Sequence, residues 1–155
     1  MRFNSKQIDL KNISSKLWIK NDLHISSRNV SEGNKASGLV RKTFKCDAPH
    51  LILFNQIVSM DELLFLASNV QNINLDRTIV KNENGSILEF KKIVEFFPKV
   101  ESFIYLISDT YKIRLETIID EIIQAEIHYY KVPLIGFHGI NEEKHCKLFK
   151  ISFRT

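Results

Sequence analysis

Cysteine and histidine side chains are the first residues in this sequence that could do chemistry. Cys46 and His50 lie four residues apart, and a second group near the C-terminus contains His138, His145 and Cys146. Structural zinc sites usually combine two tight ligand pairs, such as Cys-x2-Cys with His-x3-His, and neither pair occurs here. We therefore predict no metal site, and we interpret both cysteines as free thiols in a reducing compartment.

Carboxylates and catalytic motifs give no stronger indication of an enzyme. An acidic cluster contains Glu116, Asp120, Glu121 and Glu126. Because Glu116 and Asp120 lie one helical turn apart, opposite an aliphatic stripe, a solvated helix face explains them. The sequence has no phosphate-binding glycine loop, dinucleotide fingerprint, serine-hydrolase elbow or His-Glu-x-x-His motif. We predict no catalytic residues, no cofactor and no enzyme activity.

Basic residues are concentrated in the first third of the chain. Residues 1–47 hold ten Lys/Arg against four Asp/Glu, whereas the remainder holds twelve against fourteen. Such an excess can attract an anionic partner, although a solvated surface is its more common cause. Binding of nucleic acid or another anionic ligand through residues such as Arg41, Lys42 and Lys45 is therefore the alternative function, not the expected one.

Length and composition indicate one ordinary globular domain. The 155 residues are 44% hydrophobic, with five glycines and three prolines, which argues against disorder and against a many-turned sandwich. No apolar run approaches the roughly 20 residues that span a bilayer. We expect a cytoplasmic or nuclear protein with no membrane contact.

A short apolar motif occurs three times and predicts the fold. The pattern apolar-x-x-apolar-x-apolar appears at 48–53, 70–75 and 100–105, with starts 22 and 30 residues apart and a helix-like segment after each copy. On a strand, the last two apolar residues point inward and the residue between them points outward. The spacing predicts an α/β fold, an irregular leucine-rich-repeat-like stack of short strands backed by helices.

Two Ser-x-x-Glu capping boxes, Ser59–Glu62 and Ser86–Glu89, predict where the first two helices begin. Pro98 ends the second helix, and a third helix is predicted from Tyr111 to about His128. The apolar stripe of the second helix comprises Ile87, Phe90, Ile93, Val94 and Phe97. Residues 134–137 are predicted to be extended, and Asn141 to cap a last short helix.

The N-terminal third is predicted to differ from the repeats. Residues 17–25 suggest one or two short strands, and the polar residues 26–38 suggest an exposed, flexible loop. We divide the chain into residues 1–44, a basic, partly flexible segment with short strands and a polar loop, and residues 45–155, a leucine-rich-repeat-like domain.

From about Lys45 onward the sequence resembles the C-terminal F-box-associated region of a nematode-expanded family of F-box proteins. The resemblance lies in a set of strings spread along this region: 66–70, 80–86 with Glu89, 92–95, 111–112, 114–123, 130–131, 133–135, Phe137, 139–140 and 142–144.

The resemblance implies a binding surface that selects substrates for a ubiquitin ligase, without catalytic residues. In that family an N-terminal F-box docks on a Skp-type adaptor, but residues 1–45 lack its leucine- and proline-rich helical pattern, so we do not expect adaptor binding. We predict a protein-interaction module with a substrate-like protein partner, contacted by Asn72, Asn74 and Arg77. A truncated family member without a selected activity is a third interpretation.

Overall fold

A computed structural model describes residues 9–107, 134–139 and 147–152, with side chains described for residues 9–105. The described helices are α1 (Lys35–Lys42), α2 (Met60–Leu66) and α3 (Phe90–Glu95). The strands are β1 (Leu17–Ile19), β2 (Leu23–Ser26), β3 (Thr43–Cys46), β4 (His50–Phe54), β5 (Ile57–Ser59), β6 (Asn72–Asp76), β7 (Ile79–Lys81), β8 (Ser102–Ile107), β9 (Leu134–Gly139) and β10 (Lys147–Ser152). The predicted helix at 111–128 and the cap at Asn141 lie outside the described residues.

The largest sheet, which we call the front sheet, has six strands in the order β10-β9-β8-β6-β4-β2. Strands β2, β4, β6, β8 and β9 run parallel, and β10 pairs antiparallel with β9. Two smaller parallel pairs, β1 with β3 and β5 with β7, flank it. The predicted α/β class is confirmed. The predicted strands at 17–25 and 134–137 are present as β1, β2 and β9.

The three motif copies lie side by side and form the core. Leu51 pairs with Ile73 and Ile73 with Phe103, while Leu53, Leu75 and Tyr105 make the next row. Tyr105 is 6% exposed and the other five are at most 1% exposed. Burial raises the pKa of Tyr105 to about 12. Helices α2 and α3 cover these rows with Leu63, Leu66, Phe90, Ile93 and Val94.

A buried glutamine at the end of β4 joins the sheet to α1. Gln56 is fully buried, and its Oε1 accepts a hydrogen bond from the Ala36 backbone N–H at 3.1 Å. Its Nε2 donates to the Ser27 hydroxyl at 2.8 Å. The Thr78 hydroxyl donates to the Leu53 carbonyl at 3.1 Å and accepts from the Gln56 backbone N–H at 3.3 Å. We call Ser27, Gln56 and Thr78 the polar corner.

The backbone approaches the polar corner so closely that only glycine fits at position 33. A Cβ there would lie 2.6 Å from the Asn55 carbonyl oxygen and 2.7 Å from that of Val30. Gly33 also accepts a hydrogen bond from the Ile57 N–H at 2.7 Å. The chain that precedes α1 is therefore fixed against the start of β5.

The prediction of a loop over residues 26–38 was wrong in its second half. A 3-10 turn covers Val30–Glu32, and α1 begins at Lys35. Ala36 is fully buried, and its N–H bonds to Gln56 rather than to solvent. The contact that starts this helix comes from a residue 20 positions away, so local sequence did not indicate it.

The two predicted capping boxes have different outcomes. At Ser59 both reciprocal hydrogen bonds form, and α2 begins at Met60. Ser86 instead belongs to a turn, where its N–H donates to Asn84 Oδ1 and its hydroxyl accepts from Asn82 Nδ2. Helix α3 begins four residues later, without a side-chain cap. Ile87, predicted on the apolar stripe, is exposed, whereas the other four stripe residues are buried.

These outcomes predict unequal effects of two matched substitutions. We expect Ser59→Ala to lower the free energy of unfolding by about 1 kcal/mol, because it removes a helix cap. Ser86→Ala should change it by less than about 0.5 kcal/mol, as is usual for surface sites. Urea denaturation of both variants measures the difference, and equal losses would contradict the assignment of the caps.

A substitution in the polar corner should lower the free energy of unfolding more than the loss of a helix cap does. Gln56→Leu leaves the buried Ala36 N–H without its acceptor, whereas the Ser27 hydroxyl keeps its hydrogen bond to the Glu32 carbonyl. We expect the free energy of unfolding to fall by roughly 1–3 kcal/mol, the cost of one orphaned buried group. Gln71→Leu, at an exposed glutamine, is the matched control. A Gln56→Leu protein as stable as that control would show that the corner contributes little.

Candidate functional site

The solvent-facing side of the front sheet is a continuous surface formed by parallel strands. We call it the outward face and define it by the solvent-facing residues of four strands: His24, Ser26, His50, Ile52, Phe54, Asn72, Asn74, Asp76, Ser102 and Ile104. They alternate along each strand with the buried core residues, as the two-residue period of a strand requires. Neighbouring strands bring them into rows that run across the sheet, with about 4.8 Å between adjacent strands in a row.

The central row of the outward face contains two isoleucines and two polar side chains. The strand registers align His24, Ile52, Asn74 and Ile104 across β2, β4, β6 and β8. Ile52 is 37% exposed, although it lies in the middle of a strand. Asn74, between the two isoleucines, has a carboxamide oxygen that is shielded from solvent and has no hydrogen-bond partner among the described residues. A buried polar atom of this kind costs roughly 1–3 kcal/mol.

One end of the outward face is polar and contains a histidine. Asn72 Nδ2 lies 3.4 Å from His50 Nδ1, and His50 Nε2 lies 4.0 Å from Asp22 Oδ1. His50 and Asp22 are both exposed, so their attraction is screened by solvent. These groups can donate and accept hydrogen bonds beside the central row.

The opposite end carries an arginine fixed by two contacts. Arg77 Nε donates to Asp76 Oδ1 at 3.1 Å, and its guanidinium carbon lies 4.1 Å from the centre of the Phe54 ring. Arg77 also has a backbone φ of 49°, which is uncommon outside glycine. An arginine stacked on an aromatic ring is pre-organised for hydrogen bonding to a carboxylate.

The residues proposed from sequence lie together at this surface. Asn72 and Asn74 occupy outward positions of β6, and Arg77 follows the end of the same strand. Their contact with a partner stays a prediction. Sequence reasoning missed the two isoleucines, Ile52 and Ile104. The signal was present, because each fills the outward position between two inward apolar residues, where a solvated strand usually carries a polar residue.

A second exposed surface lies on β1 and β3 and was not predicted. Trp18 is 46% exposed and Phe44 is 58% exposed, with ring centres 6.2 Å apart. The ammonium groups of Lys20 and Lys45 lie 3.7 Å and 4.7 Å from the centre of the Trp18 ring. We call these four residues the aromatic patch. The alternation of Leu17 and Ile19, both half-buried, indicates from sequence that Trp18 points outward.

Asp47 fixes the indole of the aromatic patch. Its Oδ2 accepts from Trp18 Nε1 at 2.7 Å and pairs with Lys45 at 2.8 Å, and its Oδ1 accepts from Asn69 at 2.8 Å. The hydrogen bonds from Lys45 and Trp18 lower the pKa of the Asp47 carboxyl below its ordinary value. Asp47 is therefore ionised at neutral pH and neutralises part of the local positive charge.

The three basic residues considered from sequence are not equivalent. Lys45 belongs to the aromatic patch, and Arg41 is exposed at the end of α1. Lys42 is half-buried, and its ammonium group donates to the backbone carbonyls of Leu10 and Ile13 at 2.6 and 2.9 Å. Lys42 thus holds the N-terminal segment against α1.

The Cys46 and His50 pair does not come together as a metal site. Cys46 is buried and donates to the Leu66 carbonyl at 3.1 Å, and burial raises the pKa of its thiol. His50 is exposed on the outward face. Within the described ranges, no group of three or more His, Cys, Asp or Glu side chains could hold a metal ion. None of the helices described is long and apolar enough to cross a membrane.

Comparison with known proteins assigns no family to this fold and these surfaces. No protein-family model, no curated protein and no solved structure matches the chain.

The unpartnered oxygen of Asn74 predicts that an apolar residue at position 74 does not destabilise the folded chain. Asn74→Leu replaces the carboxamide with an apolar group of similar shape, which can be neutral or stabilising when the polar atom had no partner. We expect the free energy of unfolding to rise by about 1 kcal/mol or stay unchanged. Thermal and urea denaturation measure it. A loss above about 1 kcal/mol would show that Asn74 stabilises the folded chain.

Proposed function

We propose that the chain is a non-catalytic protein-interaction module that binds an extended polypeptide on the outward face. The observation that carries this proposal is the central row, in which Ile52 and Ile104 flank an asparagine with an unsatisfied, shielded oxygen. A bound polypeptide would cover the isoleucines and could supply a donor to the shielded oxygen.

The composition of the outward face fits a protein interface better than a small-molecule site. Interfaces combine an apolar centre with a polar border and are enriched in aromatic residues and arginine. Here the central row, with its two isoleucines, lies between His50 and Asn72 on one side and Arg77, stacked on Phe54, on the other. An acidic residue of the partner at Arg77 and an apolar residue over Ile52 would satisfy both features.

The hydrogen-bonding capacity of Asn74 gives the partner a defined contact. A rotation of its side chain would present the carboxamide to a backbone N–H of an extended segment, and the free energy lost at the orphaned oxygen would be recovered on binding. Repeat proteins with parallel sheets commonly use such rows of outward residues as extended binding surfaces.

The resemblance to F-box-associated regions extends this proposal to a biological role. The partner would then be a protein selected as a substrate of a ubiquitin ligase, met in the cytoplasm or nucleus. Docking of this chain on a Skp-type adaptor is not part of the proposal, because residues 1–45 lack the F-box pattern.

A displayed library of random peptides, selected on the immobilised full chain, tests the proposal. We expect enriched peptides that combine an acidic residue with an apolar one. Their affinity should fall about 30-fold in Ile52→Asp, since loss of a central contact in an interface costs about 2 kcal/mol or more. Arg77→Ala should weaken peptides with an acidic residue more than those without one.

The matched control is Asn34→Ala, at an exposed asparagine whose side chain makes no helix-cap hydrogen bond. This variant should bind the enriched peptides as the unmodified chain does. Enrichment of no peptide family, or equal binding to Ile52→Asp, would refute the outward face as the binding surface.

A further inference from the structure

The aromatic patch is separate from the outward face in both its residues and its charge. It is formed by β1 and β3, which pair in a two-stranded sheet of their own, and not by the six-stranded sheet. Its exposed groups are two aromatic rings and two ammonium groups. The only acidic group bonded to it is Asp47, among the residues that the structure describes, and Asp47 is paired with Lys45.

We propose that the aromatic patch is a binding site for single-stranded nucleic acid. Proteins that bind single strands without sequence preference place aromatic side chains, on which bases stack, beside positive charges that contact the phosphates. Each nucleotide carries a flat base and an anionic phosphate, so it matches a surface that presents both groups side by side. An acidic polypeptide would match the lysines but leaves Trp18 and Phe44 without a stacking partner.

The geometry of the patch is pre-organised for stacking. The hydrogen bond from Trp18 Nε1 to Asp47, itself held by Asn69, fixes the plane of the indole. Phe44 presents a second ring, tilted by 59° to the first, and it is the more exposed of the two. The ammonium groups of Lys20 and Lys45 lie over the Trp18 ring, and Lys45 also pairs with Asp47. Both interactions are weak at an exposed site, so these flexible side chains can move from the ring to a phosphate and leave the ring to a base.

The charge of the surrounding chain supports an anionic ligand. Residues 1–47, which supply both strands of the patch, carry ten basic and four acidic residues. Arg41, two residues before β3, is exposed. Bases must be unstacked to reach Trp18 and Phe44, so a duplex, whose bases are paired and stacked, would not fit.

The sequence supplies a reporter for the test, because Trp18 is its single tryptophan. The full chain is titrated with an oligothymidylate of about 12 nucleotides, a length within the usual site size. We expect quenching of Trp18 emission and an affinity that falls with salt. Phe44→Ala should weaken binding roughly 5- to 150-fold, the range for loss of one stacked base. Phe96→Ala, at an exposed phenylalanine after α3, should bind as the unmodified chain does.

Salt dependence separates a specific site from general attraction to a basic protein. Lys20→Gln and Lys45→Gln should each reduce the slope of log affinity against log salt by about 0.7, as expected for one phosphate contact on a single strand. Lys91→Gln, which removes the same charge from α3, should leave the slope unchanged.

Three outcomes would overturn the site. The first is the absence of both quenching and salt-dependent binding. The second is binding of a DNA duplex as tightly as the single strand. The third is binding of polyglutamate with equal affinity and equal sensitivity to Phe44→Ala, which would assign the patch to acidic polypeptides. Since none of these variants touches the outward face, their results are independent of the peptide-binding test.

Discussion

The hydrogen bonds of the buried Gln56 side chain are the constraint on which the rest of the structure depends. This amide connects three parts of the chain: Ser27 after β2, Ala36 at the start of α1, and its own turn after β4. Thr78 joins the next turn to the same network. Unpaired polar groups are costly in a dry interior, so the hydrogen bonds of this network form together. They fix where β2, β4 and β6 end and where the chain turns away from the six-stranded sheet.

This constraint explains why the outward face can carry unfavourable features. The polar corner fixes the strand ends, and leucine, isoleucine and aromatic residues fill the inner rows. On its solvent side the sheet carries an exposed isoleucine and an unpaired carboxamide oxygen at Asn74, and a positive φ occurs just after β6 at Arg77. Strain and unpaired groups of this kind persist only where the surrounding structure over-determines them, and they concentrate at functional sites.

The sequence predicted what depends on local pattern and missed what depends on distant contacts. The inward rows and the Ser59 cap were correct, since periodicity and a capping box act over a few residues. The second box failed because Asn84 and Gly85 form a turn that takes Ser86 away from the helix. Helix α1 was missed because its starting contact is Gln56. The sequence did contain a signal for the polar corner, because Gln56 and Thr78 each lie three residues after the last inward leucine of a motif. The aromatic patch could not be predicted from local sequence, because the pairing of β1 with β3 brings its residues together.

Native-state hydrogen exchange at the Ala36 amide tests the central claim most directly, because this N–H donates to Gln56 across the molecule. If the polar corner holds sheet and helix together, Ala36 exchanges with the same opening free energy as the amides of β4 and β6, which reflects global unfolding. Exchange of Ala36 at the rate of exposed turn residues such as Glu83, while β4 and β6 stay protected, would contradict the account.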